Sequence, residues 1–246
     1  MMRRLVLVSS LLAAVCGLNA QEDETVTAPA ISLVSRSVFR GVEQSGAGAQ
    51  GTFQVSRNAW RVGMAVVQPF DHHDPREVDF NAAYVWKATE RINLEAVLKQ
   101  RWFTEVPPGA TKDSFEAGLS AAWSPASGWV VELAGFHDCR LKADTVQVTA
   151  NYSMPLKNLG VYLERSASLG TSSARDLRPD APGGPIRDSY SYYTASVRLP
   201  YRIGAHTKLV AGLYIAETDG QSLFWSPIAA PGGFQAWAEL GLSLDF

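Results

Sequence analysis

The sequence predicts an all-β chain, a transmembrane antiparallel up-and-down β-barrel of about 12 strands, and three observations point to it. Residues 234–246 alternate strictly, with Phe234, Ala236, Ala238, Leu240, Leu242, Leu244 and Phe246 on one face and Gln235, Trp237, Glu239, Gly241, Ser243 and Asp245 on the other. Period two over that length gives a strand with one apolar side, and roughly ten tilted residues cross a bilayer. The same alternation recurs along the chain. The connections between the alternating stretches are in turn long and short, as in barrels with long outer loops and short periplasmic turns.

Residues 1–20 read as a secretory signal peptide: Arg3 and Arg4 form a basic start, residues 5–15 an apolar stretch, and Leu18-Asn19-Ala20 a cleavage site. Val15 before Cys16 does not fit a lipidation site, so ordinary cleavage is expected. Residues 21–30 then form a periplasmic N-terminal segment, and residues 31–246 the barrel. No stretch offers the ~20 consecutive apolar residues of a spanning helix.

The first strand is expected over residues 31–40, followed by a Gly-rich loop at 41–49 and a strand at 50–56. Clear apolar faces come next: Trp60, Val62, Met64 and Val66; Val78, Phe80, Ala82, Tyr84 and Trp86; Ile92, Leu94, Ala96 and Leu98. Phe115, Ala117, Leu119, Ala121 and Trp123 form another, followed by Trp129, Val131, Leu133 and Gly135, then Val146, Val148, Ala150 and Tyr152. Leu159, Val161 and Leu163, residues 190–199, then Leu209, Ala211, Leu213 and Ile215 lead to the closing strand. The expected outer loops are 41–49, 70–77, 105–112, 138–143, 170–188 and 218–233, and the turns between them are compact. The last outer loop carries Leu223, Phe224, Trp225 and Ile228 among prolines and glycines, and is expected to bend inward over the mouth, with packing outward on lipid as the alternative.

Trp60, Trp86, Trp123, Trp129, Tyr152 and Phe246 all fall near the short-turn end on the apolar face, the arrangement of an interfacial aromatic girdle. On the opposite face lie Arg36, Arg40, Asp79, Glu95, Lys99, Arg101, Glu116, Glu132, Glu164, Arg198, Lys208 and Glu239. Charges in this number cannot face lipid, so they are expected to line the lumen. Their signs balance, which suits either a narrow aqueous path or a bracing set of salt bridges. Arg36, Arg40, Lys99 and Arg101 are placed toward the outer ends of their strands, where they would form a positive rim.

Other functions find little support. The chain has 22 Lys and Arg against 24 Asp and Glu, and losing Arg3 and Arg4 makes it more acidic, so nucleic acid is not an expected partner. Cys139 is the one cysteine beyond the signal segment, which leaves no internal disulfide. An outer-membrane lipid hydrolase would need a serine within reach of a histidine. His137 is the best-placed base, but neither Ser114 nor Ser166 has a nucleophile motif around it. Asp71-His72-His73-Asp74 has metal-ligand residue types without ligand spacing, and reads as a solvated loop. No metal, cofactor or catalytic residue is expected.

The segment with Ser35-Arg36, Phe39-Arg40-Gly41-Val42 and Gln44-Ser45 resembles the opening strand and first loop of the TorF-type family of bacterial outer-membrane porins. Gln50-Gly51 and Phe53 continue the likeness, while Ser37 stands where an aromatic is common. The alternating end at Phe246 is similar to the signal read by the bacterial barrel assembly machinery. These resemblances imply a barrel and a channel in the outer membrane, with the assembly machinery, outer-membrane lipid and lipopolysaccharide as partners and small polar solutes as cargo. The function expected is passive diffusion of small hydrophilic solutes. The alternatives are a structural or surface-interaction barrel with a plugged lumen, then a lipid-modifying enzyme.

Overall fold

The computed structural model describes residues 25–104, 112–140, 142–157, 160–175, 187–219, 233–244 and 246. The signal segment and most of the sixth outer loop, residues 220–232, lie outside them. Among the described residues every regular element is a strand. Twelve of these strands close an antiparallel barrel: β1 (Val26–Val34), β4 (Gly48–Arg57), β5 (Trp60–Pro69), β6 (Arg76–Lys87), β7 (Ile92–Thr104), β8 (Asp113–Trp123), β9 (Trp129–Asp138), β10 (Ala143–Leu156), β11 (Val161–Arg175), β12 (Arg187–Arg202), β13 (Thr207–Thr218) and β14 (Gln235–Leu244). The remaining pair, β2 (Ser37–Phe39) and β3 (Val42–Ser45), forms a separate two-stranded sheet.

Each wall strand pairs with its neighbours in sequence, except that β1 skips the small sheet to reach β4 and closes the cylinder on β14. At that seam Thr27 and Phe246 exchange backbone hydrogen bonds, each 3.0 Å long. Closure satisfies backbone groups that would otherwise be left as open sheet edges, the condition for β-structure in lipid.

The alternation sorts side chains as the sequence reading expects. Along β13, Leu209, Ala211, Leu213 and Ile215 are exposed and Val210, Gly212 and Ala216 buried. On other strands Leu119, Leu133, Leu169 and Leu240 also stand outside, each more than half exposed. In water such an apolar belt would be unstable, whereas in hydrocarbon it is what a spanning barrel presents.

The first strand departs from expectation. β1 begins at Val26 and stops at Val34, so residues expected to continue it or to form a loop instead make the β2–β3 hairpin. Arg36, Val38 and Arg40 keep the inward phase of Ser32 and Val34, but Ser35 and Ser37 stand where Ile31 and Leu33 face outward, so the apolar face stops where the chain leaves the wall. Arg40 and Gly41 form the hairpin tip with φ of 49° and 79°. Two successive positive φ values are the requirement of a type I′ turn, whose twist suits paired strands.

Candidate functional site

The hairpin lies inside the barrel, folded in from the end opposite the short turns. Its tip reaches β8 and β10, where the Arg40 guanidinium donates to both oxygens of Glu116 (2.6 and 3.2 Å) and to Thr145 Oγ1 (3.2 Å). Val42 packs with Ala143, Tyr190 and Tyr192 in a buried apolar cluster that Phe39 joins from its edge. Gly41 fits tightly, since a Cβ there would stand 2.7 Å from Thr218 Cγ2 and 2.9 Å from Tyr192 Cβ. Gln44 and Ser45 are almost fully buried. At the hairpin's base Arg36 pairs with Glu43 (3.1 Å), and the Gly46 N–H donates to Asp74 Oδ2 (2.8 Å). The hairpin is thus held by charge at its tip, apolar packing along one side and a backbone clasp at its end.

Arg36 and Arg40, which the sequence places toward the rim of a wall strand, lie instead beyond the end of β1. Both belong to the inward segment, and each has a carboxylate partner. Lys99 and Arg101 do lie on β7, but neither supplies free positive charge. Lys99 Nζ is 2.9 Å from Asp79, and Arg101 Nε is 2.7 Å from Glu77 and 3.1 Å from Asp79. The Arg101 guanidinium also sits 3.7 Å from the centroid of the Phe39 ring, in cation–π geometry that ties the hairpin to this wall.

Glu95, Glu164, Arg198 and Glu239 form further pairs. Arg61 donates to both oxygens of Glu95 (2.6 and 2.7 Å), and Arg198 reaches Glu164 (3.4 Å) and Glu239 (4.0 Å). Tyr214 donates its hydroxyl to Glu239. Glu132 on β9 is opposite Thr149 and Ala122, while Lys208 on β13 is opposite Arg202 and Ser243 near the short-turn end. Glu77, two residues before Asp79 on the same face of β6, joins the same cluster, although the sequence places it at the end of an outer loop.

Two cavities flank the hairpin, of about 650 and 410 Å³. They meet along Val38, Phe39, Lys99, Ser196, Tyr214 and Trp237. Of the selected charges, Arg36, Asp79, Lys99, Arg101, Arg198 and Glu239 line the larger cavity, and Arg40, Lys99 and Glu116 the smaller. Trp237 and Tyr214 also line both, with ring centroids 5.2 Å apart and planes at 9°. Their phase within β13 and β14 places them on the polar face, where the sequence marks charged residues but no aromatic as lumenal.

The six aromatic residues selected for the girdle lie at or beside the short-turn end. Trp60, Trp86, Trp123, Trp129 and Phe246 are exposed, and Trp129 stacks on Tyr152 at 4.6 Å. His137 Nδ1 pairs with Asp144 Oδ1 (2.8 Å), and the residue faces Ala117 on β8. In the 71–75 connection, ligand atoms of Asp71, His72 and His73 lie within 4.8 Å of one another. Asp71 Oδ1 accepts the His73 N–H and Asp74 accepts Gly46, so both carboxylates hold turns.

No family model and no curated protein matches the sequence. Among solved structures the fold is similar to the KdgM porin, at 12% identity and a TM-score of 0.55 over 89% of this chain and 99% of that one. The NanC porin is similar at 8% identity and a TM-score of 0.55, over 89% of this chain and 100% of that one. A KdgM porin in complex with disordered oligogalacturonate is similar at 11% identity and a TM-score of 0.50, over 90% of this chain and 99% of that one. At such identities the likeness is one of fold alone, a closed antiparallel barrel of twelve strands.

Proposed function

We propose that this protein resides in the bacterial outer membrane as a pore for passive diffusion of small hydrophilic solutes, and that its first hairpin sets the permeability. The observation carrying this reading is a polar cavity of about 650 Å³ enclosed by a barrel with an apolar exterior. Eight-stranded barrels are filled by their own side chains and sixteen-stranded ones hold aqueous channels, so in a barrel of twelve an inward segment decides what passes. Ion pairs on the wall and hairpin give that path fixed polar edges.

Kinship with the TorF-type porins fits the same reading, because the residues of the resemblance are the ones that build the hairpin: Arg36, Phe39, Arg40, Gly41 and Val42. The twelve selected charges serve as lumen and hairpin groups, and the aromatic belt from Trp60 to Phe246 as the periplasmic girdle. Outer-membrane lipid and lipopolysaccharide surround the barrel, and the barrel assembly machinery inserts it. No catalytic role is assigned.

Single-channel recording in planar bilayers tests the proposal. The wild-type protein should conduct, and replacing residues 37–45 by a Gly/Ser linker should raise conductance while the folded form persists. The hairpin's many contacts also favour a second reading, a barrel plugged for a structural role. In that case the wild type is silent and only the linker variant conducts. A folded linker variant that is also silent removes the pore.

A further inference from the structure

The charges around the cavities are matched one by one. Among the described residues, Arg36, Arg40, Lys99, Arg101 and Arg198 are the basic ones lining them, and all have carboxylate partners within 3.4 Å. An anionic solute would have to compete with those carboxylates for every guanidinium. A lumen that selects anions needs uncompensated positive charge. This one offers polar edges of both signs close together.

Beside those edges stands an aromatic surface. Tyr214 leans over Gly212, whose absent side chain makes the room: a Cβ there would meet the ring at 2.7 to 3.0 Å. Its hydroxyl donates to Glu239, which fixes the ring, and Trp237 stands parallel to it on the adjacent strand. On the other side of Trp237 the chain runs on past β1, with Ser35 N–H donating to Ala238 O (3.0 Å), and Arg36 lines the same cavity as the indole. Asn151, Ser166 and Ser196 add neutral donors and acceptors to that cavity. Small-ligand sites combine flat apolar side chains with a few fixed polar groups in cavities of this size.

We infer that Trp237 and Tyr214, with the Arg198–Glu239 pair beside them, form a lumenal subsite for neutral saccharides. A pyranose ring has a C–H face that packs on an aromatic plane and hydroxyls around its edge. Adjacent hydroxyls can accept from a guanidinium and donate to a carboxylate, so a neutralised Arg–Glu pair suits them where a bare cation would suit a carboxylate sugar. This assignment rests on the solute-pore reading and names the class of solute. It separates this lumen from the porin whose structure was determined with oligogalacturonate, an anionic chain.

The test is calorimetric titration of the full barrel, refolded in neutral detergent, with maltotriose and with trigalacturonate. Binding in micelles requires no conduction, so its failure and the failure of the pore reading are separate results. Maltotriose should bind more tightly than trigalacturonate. Trp237→Leu should weaken maltotriose about tenfold, and Trp237→Phe, which keeps a ring, should retain most of the affinity. Tighter binding of trigalacturonate overturns the neutral assignment. Absence of maltotriose binding overturns the subsite even if the barrel conducts, as does unchanged affinity in a folded Trp237→Leu. If that variant does not fold, the order of the two sugars on wild type and the affinity of Trp237→Phe decide the matter, and a tenfold loss in Trp237→Phe counts against a role for ring stacking.

Discussion

Arg40 at the hairpin tip and Glu116 on β8 form an ion pair at 2.6 Å, with side-chain exposures of only 6% and 5%. The two residues are 76 positions apart, so the contact joins the inward segment to a distant part of the wall. Removing one partner from a buried pair leaves the other charge without compensation, at a cost of about 3–5 kcal/mol, whereas replacing both by apolar groups is often neutral. Arg40→Ala should therefore loosen the hairpin and increase open-channel noise and mean conductance. Arg40→Met combined with Glu116→Leu should disturb the channel less than Arg40→Ala does. A quiet, unchanged channel in Arg40→Ala would mean that the apolar cluster around Val42 holds the hairpin alone.

Gly41 provides a second way to displace the hairpin. Its φ of 79° and the 2.7 Å approach to Thr218 leave no room for a side chain. Gly41→Val should force the tip away from Tyr192 while the wall stays closed, giving larger conductance with an unchanged heat-modifiable band. Gly160, with φ of 64° and no atom within 4 Å of its would-be Cβ, is the control. Gly160→Ala should cost turn strain but leave conductance as it was.

The facing of the wall predicts unequal tolerance to charge. Leu119 is 64% exposed on the outer surface, and Arg near the bilayer midplane costs about 2–4 kcal/mol. Leu119→Arg should lower the urea midpoint for unfolding from lipid vesicles far more than Glu95→Gln, which weakens a lumenal pair with Arg61. Similar midpoints would mean that the two faces are exchanged, as a register slip of one residue requires.

Phe246 closes the seam through its backbone and stacks its ring on His206, with centroids 5.8 Å apart. Deleting it removes both hydrogen bonds to Thr27. The expected result is less heat-modifiable barrel in membranes, and undiminished insertion would show that closure does not depend on this residue.

The wall was readable because each strand repeats one instruction. Leu209, Ala211, Leu213 and Ile215 keep one phase, as do Leu240, Leu242 and Leu244, and an apolar surface outside with polar groups inside imposes that period along the barrel. The hairpin was not readable because its residues share the polar phase of a lumenal face. Arg36, Val38 and Arg40 keep the inward phase of Val34, and the loss of the outward apolar face at Ser35 and Ser37 is the one local sign that the wall strand has ended. The hairpin's Arg-Gly turn also lacks the Asn-Gly or Asp-Gly signature of tight hairpins. The charges were found, but their pairing depends on neighbours distant in sequence, such as Arg40 with Glu116. Tyr214 and Trp237 were hidden by an assumption about residue type, since their phase pointed inward throughout.

The seam between Thr27 and Phe246 also has a consequence for the order of events in assembly. β1 must wait for β14, so the growing sheet carries two raw edges until nearly the whole chain is in place, and the final closure spans the largest loop available. The hairpin is under no such delay. Its own pairing and the Arg36–Glu43 contact are local and can form while the wall is still an open ribbon, but the groups that hold its tip arrive one after another as β8, β10, β12 and β13 are added. The last strand thus acts as a timer: until it docks, the apolar exterior has no complete belt to offer lipid, and the hairpin has no finished chamber to divide.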